Sequence, residues 1–506
     1  MGLVAAAFVA GAVLRSAARD PRVTTPSDRP ESPLTRRRFL AWSAASVAVA
    51  ACDLATPTDR PSTTGPLPAT SLPGQTLGPT TVPTGAATST PAPAPSPTVS
   101  PAPSVEARRT LYRDGALTDA RSDRLDVGIS ILVEGGVIRW IRPSDGEEDP
   151  GPRDGLEIVD ASGATFVPGM VDAHCHVTLP GGAKWTDRGA DSPRVLLDVA
   201  ERNARLMTAS GVRWGRDVGA PYVELGGGER RALSLTVRDR WRDRPGYPYL
   251  RAAGTWLTRR GSLPVRINDL EADSADELLN QALGQLDDGA DLVKLYLDGP
   301  DDSVSPWSVD EISRVVRAVH ERGATVTAHS GRIAGARAGV RAGVDALEHG
   351  FELDRGVCSE MAERGTFLVS TLAVFRSWRT FAETAQPATF VRLTGGRAFI
   401  AARRERARES IALARAAEVR IATGTDAGGG SLRANQLAWE VEQLVGAGLD
   451  PWQALASATW RGGQLLGERD AGTIREGGPA DFFLVHGNPL SDPEALWRVW
   501  RVAWAD

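Results

Sequence analysis

The stretch that decides the fold is Val167-Pro168-Gly169-Met170-Val171-Asp172-Ala173-His174-Cys175-His176. It is an apolar run that ends in polar residues. Because side chains alternate along a β-strand, His174 and His176 point to one side and Cys175 to the other. Two imidazoles at this spacing can bind one metal ion. We therefore expect a buried strand whose carboxyl end carries a pair of metal ligands.

Seven more short apolar runs follow, and stretches of helical period separate them, which favours an α/β fold with parallel strands. The helical stretches include residues 310–322 and 432–447. Together with the first run they predict the eight strands of a TIM (β/α)8 barrel. The candidate strands cover residues 165–172, 212–217, 250–256, 291–296, 325–329, 346–349, 366–371 and 420–426.

Unusual polar residues lie on these strands, mostly at their carboxyl ends, where barrel enzymes carry their active sites. The fourth strand carries Lys294, the fifth ends at His329, the sixth at His349 and the eighth at Asp426. A single histidine at a strand end is more often a hydrogen-bonding core residue than a ligand. Four of the chain's six histidines at such ends, with an aspartate, indicate a metal centre.

The composition narrows the function classes. The chain has 506 residues and a net charge of −5, which argues against nucleic-acid binding. Three cysteines cannot form a disulfide framework. Lysine occurs only at Lys184 and Lys294, although lysine and arginine together number 58. A lysine retained on a predicted strand in so arginine-rich a chain is therefore a candidate functional residue.

The N-terminal part resembles an export signal and not a folded domain. Arg36-Arg37-Arg38 resembles a twin-arginine motif, residues 41–51 are apolar but too short to span a bilayer, and Cys52 ends a lipobox-like segment. We expect an export signal over 1–52, lipidation of Cys52, and anchoring to the outer face of the bacterial cytoplasmic membrane. An uncleaved anchor with an incidental cysteine is the alternative. Residues 53–105 are rich in Pro, Thr and Ser and predict an extended linker.

Short β-segments flank the predicted barrel at both ends. Residues 128–133 and 136–141 are strand-like and are joined by Glu134-Gly135, a hairpin signal. Residues 480–485 and 499–504 have the same character near the other end of the chain.

The ordered set of motifs resembles the amidohydrolase superfamily of metal-dependent hydrolases, in its imidazolonepropionase-like and prolidase-like branch. The resemblance covers about residues 110–506. It implies a TIM barrel over 166–471 and a small β-sandwich built from 106–165 and 472–506. The motifs are 167–176, 211–219, 289–294, 326–329, 342–350, 424–427 and 472–481.

The resemblance also implies a binuclear centre. In it, one divalent ion is bound by His174, His176 and Asp426, and the second by His329 and His349. Lys294, carbamylated by CO2, bridges the two ions. Imidazole and carboxylate ligands suit zinc best, while manganese, cobalt and iron also accept them.

The function implied is hydrolysis of a carbon–nitrogen bond in an amide, cyclic amide or dipeptide-like small molecule. A metal-activated hydroxide is the nucleophile, and Asp426 transfers its proton. A lactone or ester hydrolase and a deaminase on the same fold are alternatives. Deaminases of the superfamily carry a glutamate shortly after the strand-five histidine, whereas Ser330-Gly331-Arg332 stands here.

An alternative of a different class is a non-catalytic, surface-tethered binding lipoprotein, against which the complete ligand set argues. A homo-oligomer is left open. For substrate contacts we expect Tyr296 and Arg259, whose guanidinium suits a carboxylate. The arginines at 403, 404, 406 and 408 predict a solvated helix face paired with Glu405 and Glu409.

Overall fold

The computed structural model describes residues 108–505, apart from residues 264 and 266 and the side chains of residues 392 and 393. The predicted export signal, the Cys52 lipidation site and the linker lie outside the described residues. Within the described part, no helix has the length and apolar character needed to cross a bilayer.

Strands and helices alternate over most of the described chain. The strands are β1 (Arg109–Leu117), β2 (Asp126–Glu134), β3 (Val137–Pro143), β4 (Leu156–Asp160), β5 (Ala164–Pro168), β6 (Met170–Cys175), β7 (Val212–Asp217), β8 (Tyr222–Gly226), β9 (Glu229–Ala232), β10 (Tyr249–Ala252), β11 (Trp256–Arg259), β12 (Leu270–Ala272), β13 (Leu292–Tyr296), β14 (Thr325–Ser330), β15 (Ala346–His349), β16 (Phe367–Ser370), β17 (Ile421–Thr423), β18 (Phe482–His486) and β19 (Val499–Ala503). The helices are α1 (Trp185–Arg188), α2 (Pro193–Ala209), α3 (Leu233–Trp241), α4 (Ala275–Asp287), α5 (Val309–Glu321), α6 (Ile333–Ala342), α7 (Arg355–Arg364), α8 (Ala373–Thr384), α9 (Pro387–Thr394), α10 (Arg397–Ala416), α11 (Leu437–Gly446), α12 (Pro451–Ser457) and α13 (Trp460–Leu466).

The flanking segments meet in one mixed sheet. Its order is β19-β18-β5-β1-β2-β3, with β4 also paired to β1. The hairpin predicted at Glu134-Gly135 is confirmed, since β2 and β3 pair antiparallel on either side of it. β18 pairs antiparallel with β5, so both ends of the described chain contribute to this sheet. These strands form a single hydrogen-bonded sheet, and the predicted two-layer sandwich is not confirmed.

The strands of the middle region are parallel, as predicted, but they form two sheets. One has the order β10-β7-β6 and the other β12-β11-β13-β14-β15-β16-β17. β6 and the segment after β17 meet in a parallel bridge between Cys175 and Ala427. There the Asp426 amide donates to the His174 carbonyl at 2.7 Å, and the His176 amide donates to the Ala427 carbonyl at 2.8 Å. On the other side, the Asp291 amide donates to the Ala252 carbonyl at 2.9 Å. The predicted closed barrel is therefore seen only in part, because β11, and not β10, takes the ladder beside β13.

Glycines explain where the predicted strands divide. The predicted strand 165–172 is two strands, because Gly169 separates β5, in the mixed sheet, from β6, in the parallel one. The predicted strand 250–256 divides in the same way around Gly254, which has a φ of +82°. β7 and β15 begin and end where predicted.

The apolar character of the parallel strands matches their burial in the core. Every residue of β6, β13 and β15 is buried, as expected for parallel strands that are covered on both faces. Helix α5 covers part of this core with the four predicted apolar residues, Ile312, Val315, Val316 and Val319. Ser308 and Glu311 form a capping box that fixes its first turn.

Candidate metal centre

The ends of the parallel strands bring four imidazoles together. His174 lies on β6 and His176 directly after it, while His329 lies on β14 and His349 on β15. The ring centroids of His174 and His349 are 4.6 Å apart, and those of His349 and His329 are 4.4 Å apart. The His174 and His176 rings are 5.2 Å apart. The structure thus collects in one place the histidines that the sequence singled out.

Asp426 completes a cluster with these imidazoles. One oxygen of it lies 3.2 Å from Nε2 of His176 and 3.5 Å from Nε2 of His174. Ligand atoms of His174, His349 and Asp426 all lie within 4.8 Å of one another. Burial alone would raise the pKa of Asp426, but hydrogen bonds from His174 and His176 bring it well below its usual range. The cluster therefore contains an ionised carboxylate.

Lys294 is the unusual cation of the site. Its side chain on β13 is only 1% exposed, and its Nζ has no hydrogen-bond partner among the described residues. Burial lowers the pKa of Lys294 to about 8, so about a tenth of the amine is uncharged at pH 7. A buried amine without a partner is costly unless something else binds it.

The second nitrogen of three imidazoles is held by the protein. Nδ1 of His174 is 2.6 Å from an oxygen of Glu348, and Nδ1 of His176 donates to the Gly219 carbonyl at 2.7 Å. Nδ1 of His349 is 2.8 Å from the Thr371 hydroxyl. Such contacts fix the orientation and tautomer of metal-binding histidines.

Glu348 is the centre of the buried polar network behind the imidazoles. It also accepts hydrogen bonds from the Arg216 guanidinium and from the Thr327 hydroxyl. Burial would raise the pKa of Glu348, but Arg216 and His174 bring it far below the usual range. Arg216 in turn donates from Nε to the Ala173 carbonyl at 2.7 Å. This network ties β6, β7, β14 and β15 together behind the site.

His329 faces a different carboxylate. Its Nε2 is 3.3 Å from an oxygen of Asp298, and its ring stacks on Tyr296 with centroids 4.3 Å apart. Asp298 also accepts hydrogen bonds from the Ser330 hydroxyl and the Gly331 amide, each at 2.8 Å. Tyr296 thus lies against a candidate ligand, and its contact with a substrate stays a prediction.

The loop after Asp426 approaches the site so closely that side chains are excluded. A Cβ at Gly429 would overlap Cδ2 of His176 and lie 2.9 Å from its Nε2. A Cβ at Gly430 would overlap the Asp426 carboxylate. Asp426 itself has a φ of +55°, in the left-handed region that residues other than glycine seldom adopt.

Arg259, which the sequence predicts as a substrate contact, packs against the segment that contains Pro306 and Trp307. Its guanidinium covers the Trp307 ring at 4.8 Å and donates to the Pro306 carbonyl at 2.7 Å. Its role with a substrate stays a prediction. The solvated face predicted for 403–408 is wrong for Arg403, which is only partly exposed and whose guanidinium lies over the rings of Phe351 and Phe399. Within α10 the described ion pair is Arg408 with Glu405, three residues apart, and not the predicted four.

Sequence reasoning passed over Glu348, Arg216 and Asp298. A signal for Glu348 was present, because a carboxylate inside an otherwise apolar, fully buried strand must have a partner. The partners themselves come from distant segments, 132 residues away for Arg216 and 174 for His174. Their identity therefore depends on the fold.

The residues present fit a divalent metal. Imidazole nitrogens and an aspartate oxygen are the donor set that zinc prefers. The pKa of His349 is held well below its usual range by burial and by the neighbouring His329, so the imidazole is neutral, the form that binds metal. The unpartnered Nζ of Lys294 lies within electrostatic reach of Asp426 and Glu348.

The sequence profile of the amidohydrolase family matches residues 165–502, well over half of the chain. The chain belongs to the amidohydrolase family. This amidohydrolase is 28% identical to an uncharacterised protein of Mycobacterium tuberculosis over 380 residues, which cover 74% of this chain and 93% of the relative. It is 28% identical to ochratoxinase of Aspergillus niger over 245 residues, 46% of this chain and 49% of that enzyme.

Solved structures support an α/β, TIM-barrel-like fold for the amidohydrolase. A crystal structure of an amidohydrolase is 26% identical with a TM-score of 0.64, covering 78% of this chain and 98% of that one. A Xaa-Pro dipeptidase with bound methionine is 24% identical with a TM-score of 0.65 and the same coverage.

Proposed function

We propose that this amidohydrolase hydrolyses the carbon–nitrogen bond of an amide, cyclic amide or dipeptide-like small molecule with two divalent cations, zinc being the best match. The observation that carries the proposal is the buried, unpartnered amine of Lys294 beside the cluster of His174, His349 and Asp426. An amine in that setting is explained if CO2 converts it to a carbamate, which is an anionic ligand.

The residues divide into two ligand sets joined by this lysine. His174, His176 and Asp426 would hold one cation, and His329 and His349 the other. A carbamate on Lys294 would be the ligand that the two sets share. Orientation of His174 by Glu348 and of His176 by Gly219 supports the first set, since it leaves Nε2 of both rings toward Asp426.

The protein's own groups then provide positioning and proton transfer. When bound, the cations would lower the pKa of a water molecule and polarise the scissile carbonyl. Asp426, which lies beside Nε2 of His174 and His176, would accept the proton of the attacking water and deliver it to the leaving nitrogen. Tyr296, packed on His329, borders the substrate.

The test joins metal content to hydrolysis. The purified protein is analysed for bound metal and assayed on N-acyl amino acids, dipeptides and cyclic amides; the Xaa-Pro dipeptidase relative is the reason to include dipeptides. We expect two metal ions per chain and turnover of at least one substrate class. Lys294→Ala and Asp426→Asn should abolish turnover, and Lys184→Ala, at the exposed other lysine, should not. Full turnover by Lys294→Ala would contradict the proposal.

Three further parts of the organisation are proposals. We propose export, lipidation of Cys52 and membrane anchoring on the sequence alone, testable by mass spectrometry of the native N-terminus. We also propose that eight of the ten strands in the two parallel sheets, namely β6, β7, β10 and β13 to β17, act as one barrel over 166–471, supported by the Cys175–Ala427 bridge. The flanking segments 106–165 and 472–506 would form the accessory β-domain.

A further inference from the structure

A cavity lies at the amino end of β17, whereas Asp426 follows the carboxyl end of the same strand. This basal cavity has a volume of about 460 Å3, within the range of small-molecule sites. Three arginines line it: Arg415 at the end of α10, Arg420 just before β17, and Arg461 on α13. The one carboxylate in its lining is Glu418, which is exposed. The lining is therefore positively charged and lies away from the candidate metal centre.

Arg461 has no counterion among the residues that the structure describes. Its side chain is only partly exposed, and its Cζ is 5.3 Å from the centroid of the Trp460 ring. Burial lowers the pKa of Arg461, and no neighbouring charge contributes to the shift. Removing a cation from water without supplying an anion is unfavourable. An anion in the basal cavity would offset this cost.

The other two guanidinium groups are held in place by the protein. Arg420 donates to the Gly365 carbonyl, and its Cζ is 4.1 Å from the centroid of the Phe367 ring. Arg415 is 3.6 Å from a carboxylate oxygen of Asp450, a long ion pair between two exposed side chains. Each guanidinium carries five N–H donors, so both keep donors for a ligand. In the described part of the chain, Arg420 and Arg461 have no carboxylate within ion-pair distance.

The rest of the lining offers one more donor and an apolar wall. The Gln453 side-chain oxygen accepts the Asp450 amide at 3.2 Å, which leaves its NH2 group to donate into the cavity. Leu449 is buried, and the Trp460 ring is fixed because its Nε1 donates to the Ala120 carbonyl at 2.9 Å. A ligand with an anionic end and an apolar end fits such a lining.

A second hollow adjoins the basal cavity and shares Trp460 with it. It has a volume of about 310 Å3 and is lined by Arg121 and Arg469. The Cζ of Arg121 is 4.8 Å from the centroid of the Trp460 ring. Glu468 also lines this hollow, but its carboxylate is already paired with Arg251. The positive surface therefore continues past Trp460.

We propose that the basal cavity binds a phosphate monoester, with the phosphate on Arg420 and Arg461 and the group that it carries against Trp460 and Leu449. A phosphate monoester has a charge of about −1.5 to −2 at pH 7 and three acceptor oxygens. It therefore matches two guanidinium groups that lack an acid, whereas a carboxylate would neutralise one. A guanidinium binds phosphate oxygens in pairs. The proposal does not depend on the proposed hydrolysis, since no lining residue belongs to the proposed metal ligands.

The experiment measures binding of phenyl phosphate to the full, metal-loaded chain by isothermal titration calorimetry. Benzoate is the matched probe, with the same ring and a carboxylate in place of the phosphate. The variants are Arg461→Met and Arg461→Lys, and the control is Arg317→Met, at an exposed arginine of α5 outside the cavity. Thermal melting without ligand monitors folding. A phosphate bound by the metal centre would bind the parent and all variants equally.

We expect the parent to bind phenyl phosphate saturably and about tenfold or more tightly than benzoate. Arg461→Met should weaken phenyl phosphate binding by about 10- to 100-fold, the range for hydrogen bonds between charged groups. Arg461→Lys should weaken it less, because the charge is kept and the paired geometry is lost, and Arg317→Met should leave it unchanged. No saturable binding by the parent, or equal affinity in the parent and Arg461→Met, would overturn the proposal. If Arg461→Met does not fold, equal affinity in the parent and Arg461→Lys is the overturning result.

The phosphate could belong to a soluble ester or to a lipid headgroup, and a vesicle assay separates the two. Parent and Arg461→Met, both with Cys52→Ser so that no lipid is attached, are sedimented with phosphatidylcholine vesicles that contain or lack phosphatidic acid. Sedimentation that requires phosphatidic acid and Arg461 supports the site with a headgroup as its ligand. Arg461-dependent binding of phenyl phosphate without sedimentation supports it with a soluble ester. Sedimentation that is the same in Arg461→Met, without binding of phenyl phosphate, overturns the proposal.

Discussion

Replacing Glu348 by glutamine tests whether the buried network behind the imidazoles holds the site in its metal-binding form. Glu348 is fully buried, lies 2.6 Å from Nδ1 of His174 and accepts hydrogen bonds from Arg216 and Thr327. Glutamine keeps the shape of the side chain and removes its charge. One acceptor oxygen then remains where the carboxylate offered two, so His174 loses its charged partner and Arg216 loses its buried counterion.

Two magnitudes follow from these contacts. Loss of a partner that orients a ligand weakens metal binding by about 10- to 100-fold, which corresponds to about 1.4 to 2.8 kcal/mol. Breaking a buried ion pair on one side costs about 3 to 5 kcal/mol. We therefore expect weaker zinc binding and, separately, a lower free energy of unfolding.

The assay separates the two effects. Zinc affinity is measured by competition with a chromophoric chelator, and the free energy of unfolding by urea titration of the metal-free protein. Adding Arg216→Met to Glu348→Gln removes the unpaired guanidinium, so stability should partly recover while zinc affinity stays low. Glu440→Gln is the control, since Glu440 is an equally buried carboxylate that bonds Ser370 and Ala373 and no imidazole. Zinc affinity in Glu348→Gln equal to that of the parent would refute the reasoning.

The remaining predictions concern stability against pH and the close approach of a loop. Burial raises the pKa of Glu440 from 4.5 to about 7. The folded pKa of Glu440 is therefore above its unfolded value, and the stability that this side chain contributes at low pH is lost as the pH rises above 7. Relative to the parent, Glu440→Gln should gain about 3 kcal/mol in unfolding free energy between pH 4 and pH 8, measured by urea titration. A difference in unfolding free energy between the two proteins that does not change with pH would contradict the assignment. Gly429→Ala should displace the His176 imidazole and reduce turnover by at least about tenfold, whereas Gly446→Ala, where a Cβ meets nothing within 4 Å, should leave turnover unchanged in the same assay.

Local pattern was enough to predict most strands and the histidines at their ends. β7 and β15 have the predicted bounds. The start and end of such a strand are determined by nearby residues, so the local pattern of apolar residues is enough to predict them. Where strands divide, at Gly169 and Gly254, the cause is a change of sheet, which local pattern does not report. The same limit explains why the sequence predicted one closed barrel, whereas the hydrogen-bonded strands form two separate parallel sheets.

Side-chain environment was less predictable than position. Arg403 belongs to a charged helical stretch whose pattern predicts exposure to solvent. In the fold, however, its guanidinium packs against Phe351, which lies in the loop after β15. Thr371 and His349 lie 22 residues apart and meet only because β15 and β16 are neighbours. Such contacts follow from strand order, and strand order is a property of the whole chain.

The most direct test of the central claim is carbon-13 NMR of the protein loaded with metal in the presence of labelled bicarbonate. The account predicts a protein-bound carbamate signal and two metal ions per chain, both lost in Lys294→Ala and both kept in Lys184→Ala. An active protein that shows no such signal, or a signal that survives Lys294→Ala, would contradict the assignment of the buried Lys294 amine as the bridging group.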